Sequence, residues 1–259
     1  MALVRDSERG MEVLMLQRNF NSAFVPGAHV FPGGTVDDAD HAAELYARCD
    51  GLDDAAASRV LGIARGGLAY WIAAIRELFE EAGVLLARDA AGALLALAER
   101  KTAERFHTYR KSIESGERPF GAIVAEEGLR LAADRLAYFG HWITPVGAVR
   151  RYDARFFVAV APERQIAEHD NREAIAHEWA RPADLLEGHE RGERKLRTPT
   201  RHTLMRFAGF NSVSALVESL RAERDISAIM PRITREGRYV VPGEPGYEDA
   251  AGTEGRGMG

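Results

Sequence analysis

Ala73-Ala74-Ile75-Arg76-Glu77-Leu78-Phe79-Glu80-Glu81-Ala82-Gly83-Val84 sets three carboxylates within five positions of a segment with helical patterning. At about 100° per residue, Glu77, Glu80 and Glu81 share one helix face, while Ile75, Leu78, Phe79 and Ala82 take the opposite one. The pattern predicts a helix over roughly Tyr70 to Leu86 that buries its back and presents the acids on a fixed support. Gly83 stands where a left-handed helix stop is expected. Like charges at i,i+3 and i,i+4 cost about 0.2 to 0.5 kcal/mol per pair, a cost that a divalent cation turns into affinity. Hard cations such as Mg²⁺ take oxygen ligands and share their shell with waters and phosphates. A solvated acidic face is the competing reading, and Glu126-Glu127 shows that paired glutamates alone do not make a site.

Upstream, Phe31-Pro32-Gly33-Gly34-Thr35-Val36-Asp37-Asp38-Ala39-Asp40 joins a glycine turn to a run of acids. Met11 to Gln17 reads as a strand, followed by a loop from Asn19 to Val30 with Pro26 and Gly27 as breakers. The alanine-rich stretch from His41 to about Arg65 predicts one or two helices. Ala93 to Ser115 and Ala125 to Leu136 also read as helical, separated by a turn at Gly116, Pro119 and Gly121. Strand patterns follow at His141–Thr144, Arg155–Ala161 and His177–Trp179, then helices at Thr200–Phe207 and Ser212–Glu223. The expected organisation is one α/β domain over 1–242 with helical insertions at about 41–69 and 88–136. Residues 243–259 carry six glycines in seventeen positions and are expected to be mobile.

The composition narrows the function classes. With 34 basic and 39 acidic residues, a net charge of -5 gives no general attraction for nucleic acid or an anionic membrane. The single Cys49 fits a reducing compartment, the N-terminus lacks the apolar core of a secretion signal, and no apolar run approaches a membrane span. A cytoplasmic location is therefore expected. A Gly-x-x-x-x-Gly-Lys-Ser/Thr loop, a Gly-x-Ser-x-Gly elbow and a His-Glu-x-x-His helix are all missing.

Together the turn and the acid helix resemble the signature of the Nudix hydrolase superfamily. Arg76, Glu77, Leu78, Glu80, Glu81, Gly83 and Val84 fit every specified position of its second half. Gly34 and Asp40 fit the first half with aspartate in place of glutamate, and thirty-five residues, His41 to Ile75, stand where the pattern has seven. That interruption, the run from Leu16 through Gly34, and the stretches Trp142–Pro145 and Arg151–Phe157 look like the branch containing coenzyme A diphosphatases. A related bacterial group of coenzyme A hydrolases carries arginine where this chain has Ala23.

The resemblance implies a Nudix fold, a mixed β-sheet between α-helices, and a Mg²⁺- or Mn²⁺-dependent diphosphatase acting on a small nucleotide-type diphosphate. Glu77, Glu80, Glu81 and Asp40 would hold metal, and Arg76 would orient a ligating carboxylate. Glu173 is the candidate general base, while Arg18, Gly33, Gly34 and Arg155 would contact substrate. Coenzyme A or an acyl derivative is the leading substrate, with ADP-ribose, a dinucleotide or a non-catalytic nucleotide-binding role as alternatives. A homodimer is expected from the family and from apolar residues such as Leu94, Leu95 and Leu97 in the second insertion.

Overall fold

The structure is a computed structural model that describes residues 1–22, 25–146, 148 and 150–250. The chain opens with strand β1 (Ala2–Ser7), turns at Gly10, and continues through β2 (Gly10–Arg18) to the short β3 (His29–Val30). Helices α1 (Ala43–Tyr46) and α2 (Asp54–Leu61) precede the long α3 (Leu68–Ala82). Strand β4 (Ala87–Arg88), helices α4 (Arg100–Glu114) and α5 (Phe120–Glu126), and β5 (Arg130–Leu131) come next. The chain then runs through β6 (Ala137–Ile143), β7 (Asp153–Val160) and β8 (Ala174–Ala180) to α6 (Pro182–Glu190), α7 (Thr198–Phe207) and α8 (Val213–Ala222). Short strands β9 (Ala228–Ile229), β10 (Arg232–Ile233) and β11 (Tyr239–Val240) follow.

Seven strands make the central sheet in the order β3-β2-β1-β7-β6-β9, with β8 on the other side of β2. The sheet is mixed: β1 runs parallel to β7 and β6 parallel to β9, while the remaining pairs are antiparallel. Alternation along the strands divides the core in two. Leu3, Leu14, Tyr138, Phe157 and Ala159 face a cluster built by the helices up to α5. Ala2, Val4, Val13, Met15, Phe139 and Val158 face the cluster of Leu204, Phe207, Leu216 and Leu220 from α7 and α8. The expected sheet between helices is therefore present, and β1 is a strand that its charged residues Arg5 and Asp6 concealed.

The stretch from Ala93 to Leu136 departs from its sequence pattern. Residues 93–99 are not helical: Leu95 donates its amide to Ala87 O, and Gln165 Nε2 donates to Leu95 O at 2.9 Å. Leu95 is buried at 8% exposure, and Leu94 and Leu97 are half-buried, so they do not form the open apolar surface expected for dimerisation. Tertiary pairing has overridden the helix propensity of the alanine-leucine run. Helix α5 likewise starts at Phe120 and ends at Glu126, before Gly128 adopts φ 64° and Leu131 pairs with Ala87.

Residues 243–250, expected in the mobile tail, are tied to the body. Arg232 Nη1 donates to Tyr247 O at 2.9 Å and Tyr247 Oη donates to Met230 O at 3.0 Å. The rest of that expectation, residues 251–259, lies outside the described residues. Among the described residues no helix is long and apolar enough to cross a membrane.

Candidate active site

Helix α3 is fixed before its acids are considered. Ile75, Leu78 and Phe79 are at most 1% exposed, Trp71 meets Phe157 edge-on at 4.7 Å, and Phe79 meets Phe106 of α4 at 6.3 Å. The helix stops at Gly83, which takes φ 67° and donates its amide to Phe79 O. Arg110 of α4 reaches the same end and donates Nε to Glu80 O at 2.7 Å. Its side chain is only 5% exposed and its Nη2 has no hydrogen-bond partner. A cation on the free carbonyls of a helix C-terminus is favourable. Arg110 escaped the sequence reading because α4 has no sequence proximity to α3.

Arg76 organises the acids. It donates Nε and Nη2 to the two oxygens of Asp40 at 3.0 and 2.9 Å, and Nη1 to Glu77 Oε1 at 2.7 Å and Glu80 Oε1 at 3.2 Å. Nη2 also donates to Thr35 O at 2.8 Å. Burial alone would lower the guanidinium pKa, but the hydrogen bonds it donates to Asp40 and Glu77, and their charges, hold it above its ordinary value. Asp40 is 1% exposed and accepts an additional bond from Asp37 N at 2.9 Å. Both Asp40 oxygens are thus engaged, so in this geometry Asp40, expected as a metal ligand, anchors the arginine that holds Glu77 and Glu80.

The three glutamates sit in progressively drier surroundings. Burial raises the pKa of Glu80 against the pull of Arg76. Burial pushes Glu77 up to about 7 although Arg76 opposes it. Glu81 is pushed up to about 8 by burial, with the Gly33 amide opposing and the Glu77 charge adding to the rise. Gly33 N donates to Glu81 Oε2 at 2.8 Å, so the glycine turn and the acid helix meet directly. A Cβ on Gly34 would lie 2.5 Å from Glu77 Oε1, which is why only glycine lets the backbone approach this closely.

Glu173 lies across from these acids. Its charge is felt by Glu81, its side chain is 64% exposed, and its Oε2 lies 3.9 Å from Arg18 Nη2. Its backbone carbonyl accepts from Asn19 N at 2.8 Å, tying the Glu173 loop to the end of β2. Arg18 is 24% exposed and its Nε is buried without a partner.

Arg155 projects from β7 toward the first turn of α3, its guanidinium 5.4 Å from the Tyr70 ring centroid. It pairs with Asp153, whose Oδ1 also lies 2.5 Å from His141 Nε2. His141 and Arg155 face each other across the β6–β7 register, which explains the cluster and which sequence separation hid. Arg151 donates Nε to Thr144 O at 3.2 Å, and His29 is buried near Glu178, apart from the acid helix. Ala23 lies outside the described residues.

Among the described residues no three His, Cys, Asp or Glu side chains close into a self-sufficient metal cage. The donor chemistry nonetheless fits a hard dication: Glu77, Glu80 and Glu81 are oxygen donors whose pKa values are raised by burial, which the opposing contacts of Arg76 and the Gly33 amide do not offset. Mg²⁺ takes only one or two protein carboxylates and completes its shell with waters and phosphate oxygens.

The family model of the NUDT19 Nudix domain matches residues 53–207. The acyl-coenzyme A diphosphatase NUDT19 of Homo sapiens is 30% identical over 275 residues, covering 92% of this chain and 72% of the relative. That of Gallus gallus is 31% identical over 242 residues, covering 79% of this chain, which spans only 63% of the chicken protein's length. A crystal structure of a NUDIX hydrolase from Alicyclobacillus acidocaldarius superposes with a TM-score of 0.68 at 25% identity, covering 85% of this chain and 93% of that one. With the acid helix seated under its glycine turn and a family model matching more than half its length, the chain belongs to the Nudix hydrolase family.

Proposed function

We propose that the protein is a divalent-metal-dependent diphosphatase that cleaves a nucleoside-diphosphate-linked substrate, with coenzyme A or an acyl-coenzyme A as the substrate class. The observation that carries this reading is the seating of Glu77, Glu80 and Glu81 on one face of α3, beneath the Gly33–Gly34 turn and locked by Arg76. The names of the human and chicken relatives support the substrate class.

Glu77, Glu80 and Glu81 would hold the ion, Mg²⁺ or Mn²⁺. When bound, it supplies Lewis-acid polarisation of the diphosphate oxygens and makes a bound water more acidic. Arg76 keeps Glu77 and Glu80 in fixed rotamers, so little reorganisation is needed as charge develops. The Gly34 backbone packs against the Glu77 carboxylate and the Gly33 amide holds Glu81, so the glycine turn fixes both acids. Glu173, exposed and opposite Glu81, accepts the proton of the attacking water, and Arg18 beside it neutralises a phosphate oxygen. The products are two phosphate monoesters.

The test is a product-mass assay with coenzyme A, ADP-ribose and a dinucleotide, with and without Mg²⁺, beside Glu80→Gln. Metal-dependent cleavage of coenzyme A that the variant loses supports the reading. Preference for ADP-ribose or a dinucleotide, which Ala23 in place of arginine favours, redirects the substrate class. Saturable ligand binding without turnover makes the protein a binding module.

A further inference from the structure

Tyr70, Ala74, Glu77 and Glu81 recur at i, i+4, i+7 and i+11 of α3 and so form one stripe along the helix. At 1.5 Å per residue, Tyr70 lies about 10 Å along the axis from Glu77. Arg155 and His141 stand at the Tyr70 end of this stripe. The helix face that carries the carboxylates therefore meets a cationic group on the scale of one nucleoside unit away.

That cationic group is incompletely satisfied. The Arg155 side chain is 7% exposed and its Nε has no hydrogen-bond partner. Among the described residues the carboxylate that pairs with it, Asp153, is 55% exposed and is shared with His141. A guanidinium this buried ordinarily has its donors filled, because an unpaired buried donor is costly. An exposed carboxylate on a buried arginine and a half-buried histidine occupies the place an incoming anion would take, since a phosphate offers the same oxygens with more charge.

We infer that Arg155 and His141 form a subsite for a phosphate monoester of the substrate, separate from the scissile diphosphate, with Asp153 displaced when the phosphate enters. In coenzyme A this group is the 3′-phosphate of the adenosine. The inference rests on the substrate class proposed above and makes Arg155 the residue that distinguishes coenzyme A from its 3′-dephospho form.

Adenosine 3′,5′-bisphosphate and adenosine 5′-monophosphate are the probes, titrated calorimetrically without divalent metal, so that the readout is independent of catalysis. The wild-type protein binds the bisphosphate at least tenfold more tightly, and Arg155→Met erases that preference while leaving the monophosphate affinity unchanged. In turnover, the same variant raises KM for coenzyme A about tenfold more than it raises KM for 3′-dephospho-coenzyme A. Asp153→Asn, which removes the competing charge but keeps the side-chain volume, tightens bisphosphate binding two- to fivefold. No preference in the wild type, equal weakening of both ligands by Arg155→Met, or weaker bisphosphate binding in Asp153→Asn overturns the subsite. A wild-type protein that prefers the bisphosphate but does not cleave coenzyme A refutes the proposed reaction and leaves the subsite standing.

Discussion

Two glutamate pairs, Glu80-Glu81 on α3 and Glu126-Glu127 at the end of α5, have the same local sequence and opposite electrostatics. Glu126 is met by Arg118 and by the Tyr109 hydroxyl, and these hydrogen bonds hold its pKa below the ordinary value. Glu127 takes Arg105 at 2.8 Å and the same hydroxyl. On α3 the single guanidinium of Arg76 is divided among Asp40, Glu77 and Glu80, and Glu81 receives a backbone amide instead. One pair is neutralised by its own neighbours at the surface. The other is buried with fewer positive partners than negative charges, which is the condition under which a cation adds most.

The strongest way to break this contrast is to release Arg76. In Asp40→Ala the guanidinium, 8% exposed, loses its bidentate partner but keeps Glu77, Glu80 and Thr35 O. Removing one member of a buried pair costs about 3 to 5 kcal/mol, and the remaining contacts set the expectation at about 3, read from urea unfolding. A loss under about 1 kcal/mol would mean that Asp40 is not the anchor. Next in size is Glu80→Gln, for which diphosphatase kcat/KM falls at least about a hundredfold, or about 2.7 kcal/mol. Glu126→Gln on the satisfied pair stays within about twofold. Equal effects of the two substitutions would erase the distinction between them.

The contrast also has a pH signature. For Glu77 and Glu81 the folded pKa values, about 7 and about 8, lie above the unfolded value of 4.5. Their contribution to stability is fully present below pH 4.5 and is lost as pH rises through 7 and 8, because the unfolded chain releases its protons first. Glu126 has the opposite sign: its lowered pKa contributes stability above the unfolded value that disappears as pH falls through the folded one. Without divalent metal, the unfolding free energy read from urea denaturation should therefore decline by several kcal/mol between pH 5 and pH 8, with each tenfold difference in proton affinity worth about 1.4 kcal/mol. Glu77→Gln and Glu81→Gln should flatten that decline, and Mg²⁺ should oppose it at the alkaline end. A profile as steep in both variants as in the wild type would place the titrating groups elsewhere.

Much of this arrangement was legible because the helix period is local. The stripe of Glu77, Glu80 and Glu81, the buried back of Ile75, Leu78 and Phe79, and the stop at Gly83 follow from spacing alone. The strands at 153–160 and 174–180 were visible for the same reason. What spacing cannot show is which distant side chain fills a given hydrogen bond. Asp40 fits a ligand position in the signature, yet its oxygens are taken by an arginine thirty-six positions away. Arg110 on α4 and Gln165 in the loop after β7 are placed by tertiary pairing with Glu80, Leu85 and Leu95. The stretch 93–99 is the clearest case, a helix-prone alanine-leucine run held extended by Ala87 and Arg164.

The smallest effect compares how the two helices end. Gly83 stops α3 at φ 67°, and Gly128 follows α5 at φ 64°. Alanine at either position takes a left-handed conformation that costs about 1 to 2 kcal/mol for an L-residue. At Gly128 an added Cβ meets nothing within 4 Å, whereas at Gly83 it lies 3.2 Å from Arg110 Nη1. Gly128→Ala should therefore show the backbone cost alone in urea unfolding, with unchanged turnover. Gly83→Ala should cost a few tenths of a kcal/mol more, and because Arg110 is bonded to the Glu80 carbonyl its displacement should also reach the acid face as a rise in the Mg²⁺ concentration for half-maximal activity. Identical stability losses together with an unaltered metal requirement would show that Arg110 yields freely and that α4 does not help to set the position of the carboxylates.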